Sequence, residues 1–368
     1  PVHAGNSGGA PQERPGRAAD RVAGTPSGYA ARPEAAYGKL GRGQMEAIAM
    51  PGTRELNYAD TLTGHVDDDM PVIDGHALVQ HQWDAIVPRA LVSATRYGFL
   101  CIDLLPAQQQ LVRTSLDRAI DFFDLPDERK AAVRDTGSES GWTPSYAEPA
   151  YQPGTISNVE SFDVEKPLID HPDDPHWPAV PGFQAAVTDY WQGMMALADP
   201  VLELLARAAN IEPRCIAERC NSATLNTLRL LRYPGEETSP DPGEVGIAAH
   251  TDFECITLLY QTAPGLELRN VQGQWLEAPA RPDRLIVLLD DMLERWTNGY
   301  FQATGHRVRR TPGQRHSLVM FIAVNDGVEV QPLPEFAAGD EQSRYTPIDQ
   351  ATHIEAEMAR SRAQMNST

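Results

Sequence analysis

Three residues in the C-terminal half of the chain have side chains that commonly bind transition metals: His250, Asp252 and His306. Two imidazoles and one carboxylate form the ligand set that holds non-haem Fe(II) on one face and leaves the opposite coordination positions open. A closed tetrahedral zinc site would normally require a fourth protein ligand. The residue types therefore predict an open iron(II) site, provided that the fold brings the three side chains together.

Strand geometry can supply that convergence. His250 and Asp252 are two positions apart, and residues at i and i+2 of an extended strand point to the same side. His306 must then come from a second strand. The intervening sequence contains short apolar or alternating segments bounded by Gly, Pro or Asn, which predict strands at residues 256–261, 266–270, 275–278 and 285–289. These strands can fold back to place His306 beside His250.

The His-x-Asp pattern is weak evidence by itself, because it begins at three histidines in this chain: His65, His171 and His250. His65 runs into an acidic stretch and His171 lies in a proline-rich turn, so both are predicted to be solvated loop residues. His250 instead follows an apolar segment and precedes a predicted buried strand. Of the three, only His250 is predicted to be a metal ligand.

An anion-binding pair follows on a predicted strand at residues 315–324. Arg315 and Ser317 have the same i, i+2 spacing, so a guanidinium and a hydroxyl share one face and can bind a carboxylate with charge-assisted hydrogen bonds. His316 is expected to point away from that face. A structural Arg paired with an interior acid is the alternative, but His306 lies only nine positions upstream. That proximity favours a functional anion site.

Further motifs occur in a fixed order along residues 71–334 and resemble those of the isopenicillin N synthase-like branch of the Fe(II)/2-oxoglutarate-dependent dioxygenases. They are PVID at 71–74, YGFL at 97–100, FFDLP at 122–126 with Lys130, GWTP at 141–144, ESFD at 160–163, Arg229 through YP at 233–234, HTDF at 250–253, TNG at 297–299 and GHRV at 305–308.

The resemblance implies the roles of these residues. Fe(II) would be held by His250, Asp252 and His306, and the distal carboxylate of 2-oxoglutarate by Arg315 and Ser317 with help from the hydroxyl of Tyr233. The implied reaction consumes 2-oxoglutarate and O2, releases succinate and CO2, and hydroxylates a small molecule, in keeping with a role in secondary metabolism. Position in the motifs suggests four candidates for the substrate pocket: Trp142, Tyr146, Arg232 and Phe253.

Two residues depart from the family pattern. Leu231 stands where the family usually has Asn, which removes a polar group. Asp290 precedes Asp291 where the family usually has Gly-Asp, and this extra carboxyl either adds a charge near the site or caps a turn. Neither change affects a predicted metal ligand.

Two alternative functions are also compatible with the sequence. An oxidase of the isopenicillin N synthase type would use iron and O2 without 2-oxoglutarate, and its Arg-x-Ser pair would bind a substrate carboxylate. A non-catalytic jelly roll that binds a metabolite is the second alternative, although such a module would not need an open iron site.

Composition limits the partners. The 368 residues are 41% hydrophobic and carry a net charge of −20. The first 44 residues hold six basic and three acidic residues, a charge of +3, which leaves −23 on the remainder. An acidic body disfavours nucleic acid and anionic membranes as partners. The four cysteines form no CxxC pair, and no stretch is apolar enough to span a membrane. We therefore expect a cytoplasmic enzyme that acts on a small-molecule substrate.

Helical periodicity dominates the N-terminal half and strand patterns the C-terminal half. Helices are predicted at residues 83–97, 106–123, 127–134 and 183–209, the last interrupted by Pro200, and a final helix at about 349–363. The expected fold is α+β, with a double-stranded β-helix (jelly roll) supported by N-terminal helices. We expect a flexible arm at 1–44, a helical part at 45–223, the catalytic core at 224–334 and a C-terminal tail and helix at 335–368.

Overall fold

A computed structural model describes residues 56–66, 69–135, 140–148, 151–235, 243–337 and 343–365. The predicted arm at 1–44 lies outside these residues. The helices are α1 (Gly75–Val79), α2 (Trp83–Val92), α3 (Pro106–Phe123), α4 (Asp127–Lys130), α5 (Lys166–Asp170), α6 (Phe183–Ala208), α7 (Asp291–Trp296) and α8 (Gln350–Met365). A π-helical turn (Ser93–Tyr97) extends α2, and 3-10 turns lie at Ala131–Val133, Ala217–Arg219 and Pro334–Phe336.

Seventeen strands are present in the described residues: β1 (Leu62–His65), β2 (Val72–Asp74), β3 (Phe99–Asp103), β4 (Gly141–Thr143), β5 (Ile156–Ser157), β6 (Glu160–Glu165), β7 (Thr227–Tyr233), β8 (Glu244–Val245), β9 (Ile247–His250), β10 (Ile256–Gln261), β11 (Leu266–Arg269), β12 (Trp275–Glu277), β13 (Arg284–Leu289), β14 (His306–Val308), β15 (Arg315–Ile322), β16 (Glu329–Val330) and β17 (Ile348–Asp349).

Two sheets form the centre of the fold. The major sheet has eight strands in the order β2-β3-β13-β10-β15-β7-β6-β4, and the minor sheet has five in the order β1-β12-β11-β14-β9. One apolar cluster, which includes Leu231, Leu259 and Val319, fills the space between the sheets. A larger cluster, which includes Leu230 and Leu318, packs the other face of the major sheet against α3 and α6. This arrangement confirms the predicted α+β jelly roll.

The sheets extend beyond the predicted core range of 224–334. Strands β2, β3, β4 and β6 belong to the major sheet, and β1 joins the minor sheet, although all five precede residue 224. Their hydrogen-bonding partners are distant in sequence; β3, for example, pairs with β13. Local patterns do not reveal such pairings, which explains why the sequence alone predicts a mainly helical N-terminal part.

Helix α6 corrects a second expectation. Pro200 is predicted from the sequence to interrupt it, yet the helix runs unbroken from Phe183 to Ala208. Proline removes one backbone hydrogen bond and crowds the carbonyl of residue i−4. Pro200 is buried, and its neighbours Val201 and Leu202 belong to the core that the helix shares with the major sheet, so tertiary packing of the helix compensates for the lost bond. In the described residues, no helix has both the length and the apolar character needed to cross a membrane.

Candidate metal and co-substrate site

The three predicted metal ligands meet at the edge of the minor sheet. His250 ends β9 and His306 begins β14, and the two residues are paired partners in these antiparallel strands. Asp252 lies in the turn between β9 and β10. The Nε2 atoms of both histidines lie 3.6 Å from Asp252 Oδ1. One metal-ligating atom from each residue falls within 4.8 Å of the others, so all three can reach a single ion.

Backbone carbonyls set the orientation of both imidazoles. The Nδ1 atom of His250 lies 2.8 Å from the carbonyl oxygen of Ala248, and that of His306 lies 3.1 Å from the carbonyl oxygen of Thr304. A proton on Nδ1 satisfies each carbonyl and leaves the Nε2 lone pair for a metal. Burial, reinforced by the neighbouring His306, lowers the pKa of His250 to about 3. His250 is therefore neutral near pH 7, as a metal ligand must be.

The predicted anion pair lies on the face of the major sheet that looks toward the minor sheet. In the antiparallel pairing of β15 with β7, Arg315 stands opposite Tyr233 and Ser317 opposite Leu231. The guanidinium carbon of Arg315 lies 4.5 Å from the centre of the Tyr233 ring. His316 points the other way, with its ring 6.4 Å from that of Phe123 in α3.

Two buried donors at this pair lack partners. Arg315 donates from Nε to the carbonyl of Ala263 at 3.2 Å and from Nη2 to Gln261 Oε1 at 2.8 Å. Within the described part of the chain, neither Arg315 Nη1 nor Ser317 Oγ has a hydrogen-bonding partner. A buried cation without an anion is costly, and buried donors without acceptors cost further free energy. The donor set therefore fits a carboxylate, such as the distal one of 2-oxoglutarate.

Two of the four substrate-pocket candidates face away from the triad. Trp142 is buried on the helix-facing side of the major sheet, where its indole nitrogen donates to Glu160 at 2.8 Å. Arg232 lies on the same side, bonded to Glu160 and to Asp124 of the segment after α3. The expectation that they line the pocket beside the triad is therefore corrected. In both cases strand alternation turns the side chain toward the helices.

The other two candidates, Phe253 and Tyr146, have different surroundings. Phe253 directly follows Asp252, and its ring makes an edge contact with that of His353 in α8, with centroids 6.0 Å apart. Tyr146 is 56% exposed, has a positive φ of 67°, and its hydroxyl lies 3.3 Å from Glu244. Their role toward substrate stays a prediction.

A cluster that sequence reasoning missed covers the triad. The ring of Tyr151 stacks on that of His250, with centroids 4.3 Å apart and planes 9° apart. Arg229, on the triad-facing side of β7, contacts the Tyr151 hydroxyl and forms a bidentate pair with Asp163 at 2.9 and 2.7 Å. Glu148 completes the cluster, 3.8 Å from Arg229. Arg229 and Tyr233 are four positions apart on β7 and therefore face the same side of the sheet, so the sequence could have indicated that Arg229 faces the site. No local sequence pattern indicates the position of Tyr151.

Comparison with known proteins agrees with this geometry. The family model of the 2OG-Fe(II) oxygenase superfamily matches residues 225–324, and a model described as non-haem dioxygenase in morphine synthesis N-terminal matches residues 70–181. The 2-oxoglutarate-dependent dioxygenase citB of Monascus ruber is 32% identical over 287 residues, which are 71% of this chain and 84% of that protein. The 2-oxoglutarate-dependent dioxygenase traH of Penicillium crustosum is 32% identical over 258 residues, 64% and 77% of the two chains.

The chain therefore belongs to the Fe(II)/2-oxoglutarate-dependent oxygenase family. It is a non-haem dioxygenase whose cofactor and co-substrates are Fe(II), 2-oxoglutarate and O2, as the sequence predicted. Membership of this family argues against both alternative functions, the oxidase that does not use 2-oxoglutarate and the non-catalytic jelly roll.

Solved structures show the same fold. A full-length protein from Neurospora crassa, crystallised in complex with alpha-KG, superposes with a TM-score of 0.70 at 24% identity, over 80% of this chain and 98% of that one. A 2OG-Fe(II) oxygenase family protein from Caulobacter crescentus gives a TM-score of 0.69 at 25% identity, over 79% and 99%.

Proposed function

We propose that this dioxygenase hydroxylates a small organic molecule at a centre formed by His250, Asp252 and His306. In this proposal Arg315, Ser317 and Tyr233 bind the distal carboxylate of 2-oxoglutarate. One observation supports the proposal most directly. Arg315 Nη1 and Ser317 Oγ are buried donors with no hydrogen-bonding partner among the described residues. Both lie on the inner face of the jelly roll that also contains the triad. A carboxylate there satisfies both donors and neutralises the buried guanidinium.

When bound, iron with 2-oxoglutarate and O2 supplies a two-electron oxidation: 2-oxoglutarate becomes succinate and CO2, and one oxygen atom enters a C–H bond. The residues of the chain provide the geometry. His250, Asp252 and His306 would hold the ion with two imidazoles and one carboxylate, a ligand set that leaves coordination positions open for co-substrate and O2. Arg315 fixes the far end of 2-oxoglutarate, which aligns its keto acid end with the triad.

The substrate is proposed to bind beside the stacked pair of Tyr151 and His250. Tyr151 offers an apolar ring face, while Arg229, Glu148 and Asp163 form a charged wall behind it. Such a combination suits a small molecule with one flat or apolar part and one polar part. Structures of the Neurospora crassa protein contain thymine or 5-formyluracil, which are molecules of this size. Phe253 and Tyr146 stay candidates for contacts at the entrance.

An anaerobic titration tests the metal and co-substrate assignments. The Fe(II)-loaded protein would be titrated with 2-oxoglutarate, and the weak visible charge-transfer band of a bidentate keto acid chelate would be followed. We expect the band in the wild type, its loss at the same concentrations in Arg315→Gln, and no iron binding in Asp252→Ala. A matched control is Arg284→Gln, because Arg284 begins β13 and pairs with Asp103 at the end of β3, which is not a strand that carries the triad or the anion pair.

Substrate identity requires a second experiment. Succinate formation and O2 consumption would be measured with a panel of small aromatic and heterocyclic compounds, and products would be examined for a mass increase of one oxygen atom. Substrate-dependent succinate with that mass increase supports hydroxylation. Substrate-dependent succinate with loss of two hydrogens instead would show a desaturation or ring closure and contradict the proposed outcome.

A further inference from the structure

One buried hydroxyl joins a predicted metal ligand to a second carboxyl group. Thr257 Oγ1, in β10, lies 2.7 Å from Asp252 Oδ2 and 3.0 Å from Asp290 Oδ2. Asp290 directly follows β13, which pairs with β10, and this pairing brings it next to Thr257. All three side chains are buried. The contact therefore forms inside the protein, away from competing solvent.

The number of available protons determines how this group is bonded. A threonine hydroxyl carries one hydrogen, so it can donate to one of the two carboxyl groups and must accept from the other. The second oxygen of Asp290, Oδ1, is buried and has no partner among the described residues. An ionised carboxylate in that setting would lack donors on both oxygens, which is costly. A neutral acid satisfies the arrangement, since its O–H donates to Thr257, which in turn donates to Asp252.

Electrostatics support the same assignment. Burial is the main cause that raises the pKa of Asp290 well above its ordinary value. The nearby Asp252, Glu254 and Asp291 raise it further, and the contact with Thr257 opposes them. The oxygen of Asp252 that Thr257 does not hold, Oδ1, is the one that lies 3.6 Å from both histidine Nε2 atoms. This leaves Oδ1 of Asp252 facing the two imidazoles.

We propose that Asp290 is a positioning residue for the metal centre: through Thr257 it holds Oδ2 of Asp252, so that Oδ1 faces the two imidazoles as the single metal-binding atom. The inference rests on the proposed iron site. Partners in the second layer around a metal fix ligand orientation, and their loss typically weakens metal affinity by about 10- to 100-fold. We call the hydrogen-bonded chain from Asp290 through Thr257 to Asp252 the relay.

Metal binding by the full chain tests the relay without relying on turnover. Co(II) would be the probe, and its affinity and visible absorption spectrum would be measured for the wild type, Thr257→Val, Asp290→Leu and Asp290→Asn. The backbone at Asp290 is extended, with φ −113° and ψ 178°, so these substitutions cause no backbone strain. Thr297→Val is the matched control, because the Thr297 hydroxyl is equally buried but donates to the carbonyl of Leu293.

We expect Thr257→Val and Asp290→Leu to weaken Co(II) binding by about tenfold or more and to alter the spectrum. Asp290→Asn should bind within about threefold of the wild type, because its amide can donate to Thr257 as the neutral acid does. Thr297→Val should also bind normally. Thermal unfolding would verify that each variant is folded. If Thr257→Val does not fold, the comparison of Asp290→Leu with Asp290→Asn tests the relay.

Three results would overturn the relay. Normal Co(II) affinity in Asp290→Leu would show that Asp290 does not support the ligand. Equal losses in Asp290→Asn and Asp290→Leu would show that a carboxylate, and not a neutral donor, is needed. Failure of the wild type itself to bind Co(II) would refute the metal site, and the relay with it, which separates failure of the proposed function from failure of the relay alone.

Discussion

Replacing Arg315 by Gln should weaken 2-oxoglutarate binding more than removing the neighbouring Ser317 hydroxyl does. The guanidinium uses Nε and Nη2 to bind Ala263 and Gln261 and also interacts with the Tyr233 side chain, while Nη1 is left for the ligand. Truncating one partner of a buried, hydrogen-bonded charge pair costs about 2–5 kcal/mol. At about 1.4 kcal/mol per tenfold change, the dissociation constant should rise by about 30-fold to several thousandfold.

Ser317→Ala is the variant with which the loss of affinity in Arg315→Gln is compared. Ser317 contributes one neutral hydroxyl, whose hydrogen bond to a charged acceptor is worth about 1.5–3 kcal/mol. Its removal should therefore raise the dissociation constant by roughly 10- to 150-fold, less than the loss in Arg315→Gln. Arg315→Lys should be intermediate, because the ammonium keeps the charge and loses the planar fork.

Calorimetry on the Co(II)-loaded protein under anaerobic conditions measures these affinities directly. 2-Oxobutyrate provides the matched ligand, since it keeps the keto acid end and lacks the distal carboxylate. We expect 2-oxobutyrate to bind wild type and Arg315→Gln equally weakly, so that the whole penalty belongs to the distal carboxylate. An affinity for 2-oxoglutarate unchanged within about threefold in Arg315→Gln, or an equal loss with 2-oxobutyrate, would refute the assignment of Arg315 to that carboxylate.

Three further predictions concern the triad, its cover and the opposite face of the major sheet. Asp252→Ala should abolish iron binding and turnover while leaving the fold intact, and wild-type activity in this variant would contradict the iron assignment. Tyr151→Ala removes the ring stacked on His250 and should raise the imidazole pKa from about 3 toward its ordinary value, as measured by NMR titration of the metal-free protein; an unchanged pKa would show that Tyr151 does not shield the site. Burial, with help from Arg232, lowers the pKa of His316 to about 4, so the unfolded state binds more protons below about pH 6.5 and stability falls as the pH drops. His316→Gln should therefore lose on the order of 2 kcal/mol less unfolding free energy between pH 7 and pH 4 than the wild type in urea titrations, and an equal loss would contradict the buried-histidine explanation.

Residue type and short-range spacing carried most of the information about the chemistry. The i, i+2 spacing that places two side chains on one face of a strand predicted that Arg315 and Ser317 face the same way and that His316 does not. The structure has this arrangement on β15. Trp142 and Arg232 also follow strand alternation, and both face the helices. The sequence alone did not show which face of their strands looks toward the site.

The tertiary structure decided which distant residues meet. His306 reaches His250 only because β14 pairs with β9, and Tyr151 covers His250 although nothing near it in the sequence indicates that contact. The role of Asp290 likewise depends on the pairing of β13 with β10, which brings its carboxyl to Thr257. Local sequence thus determined the ligand types and the face that each strand presents, because both follow from covalent spacing and strand alternation. Strand pairing across long separations follows only from how the chain packs its two sheets around a common core. The contacts of Tyr151 with His250 and of Thr257 with Asp252 depend on that pairing.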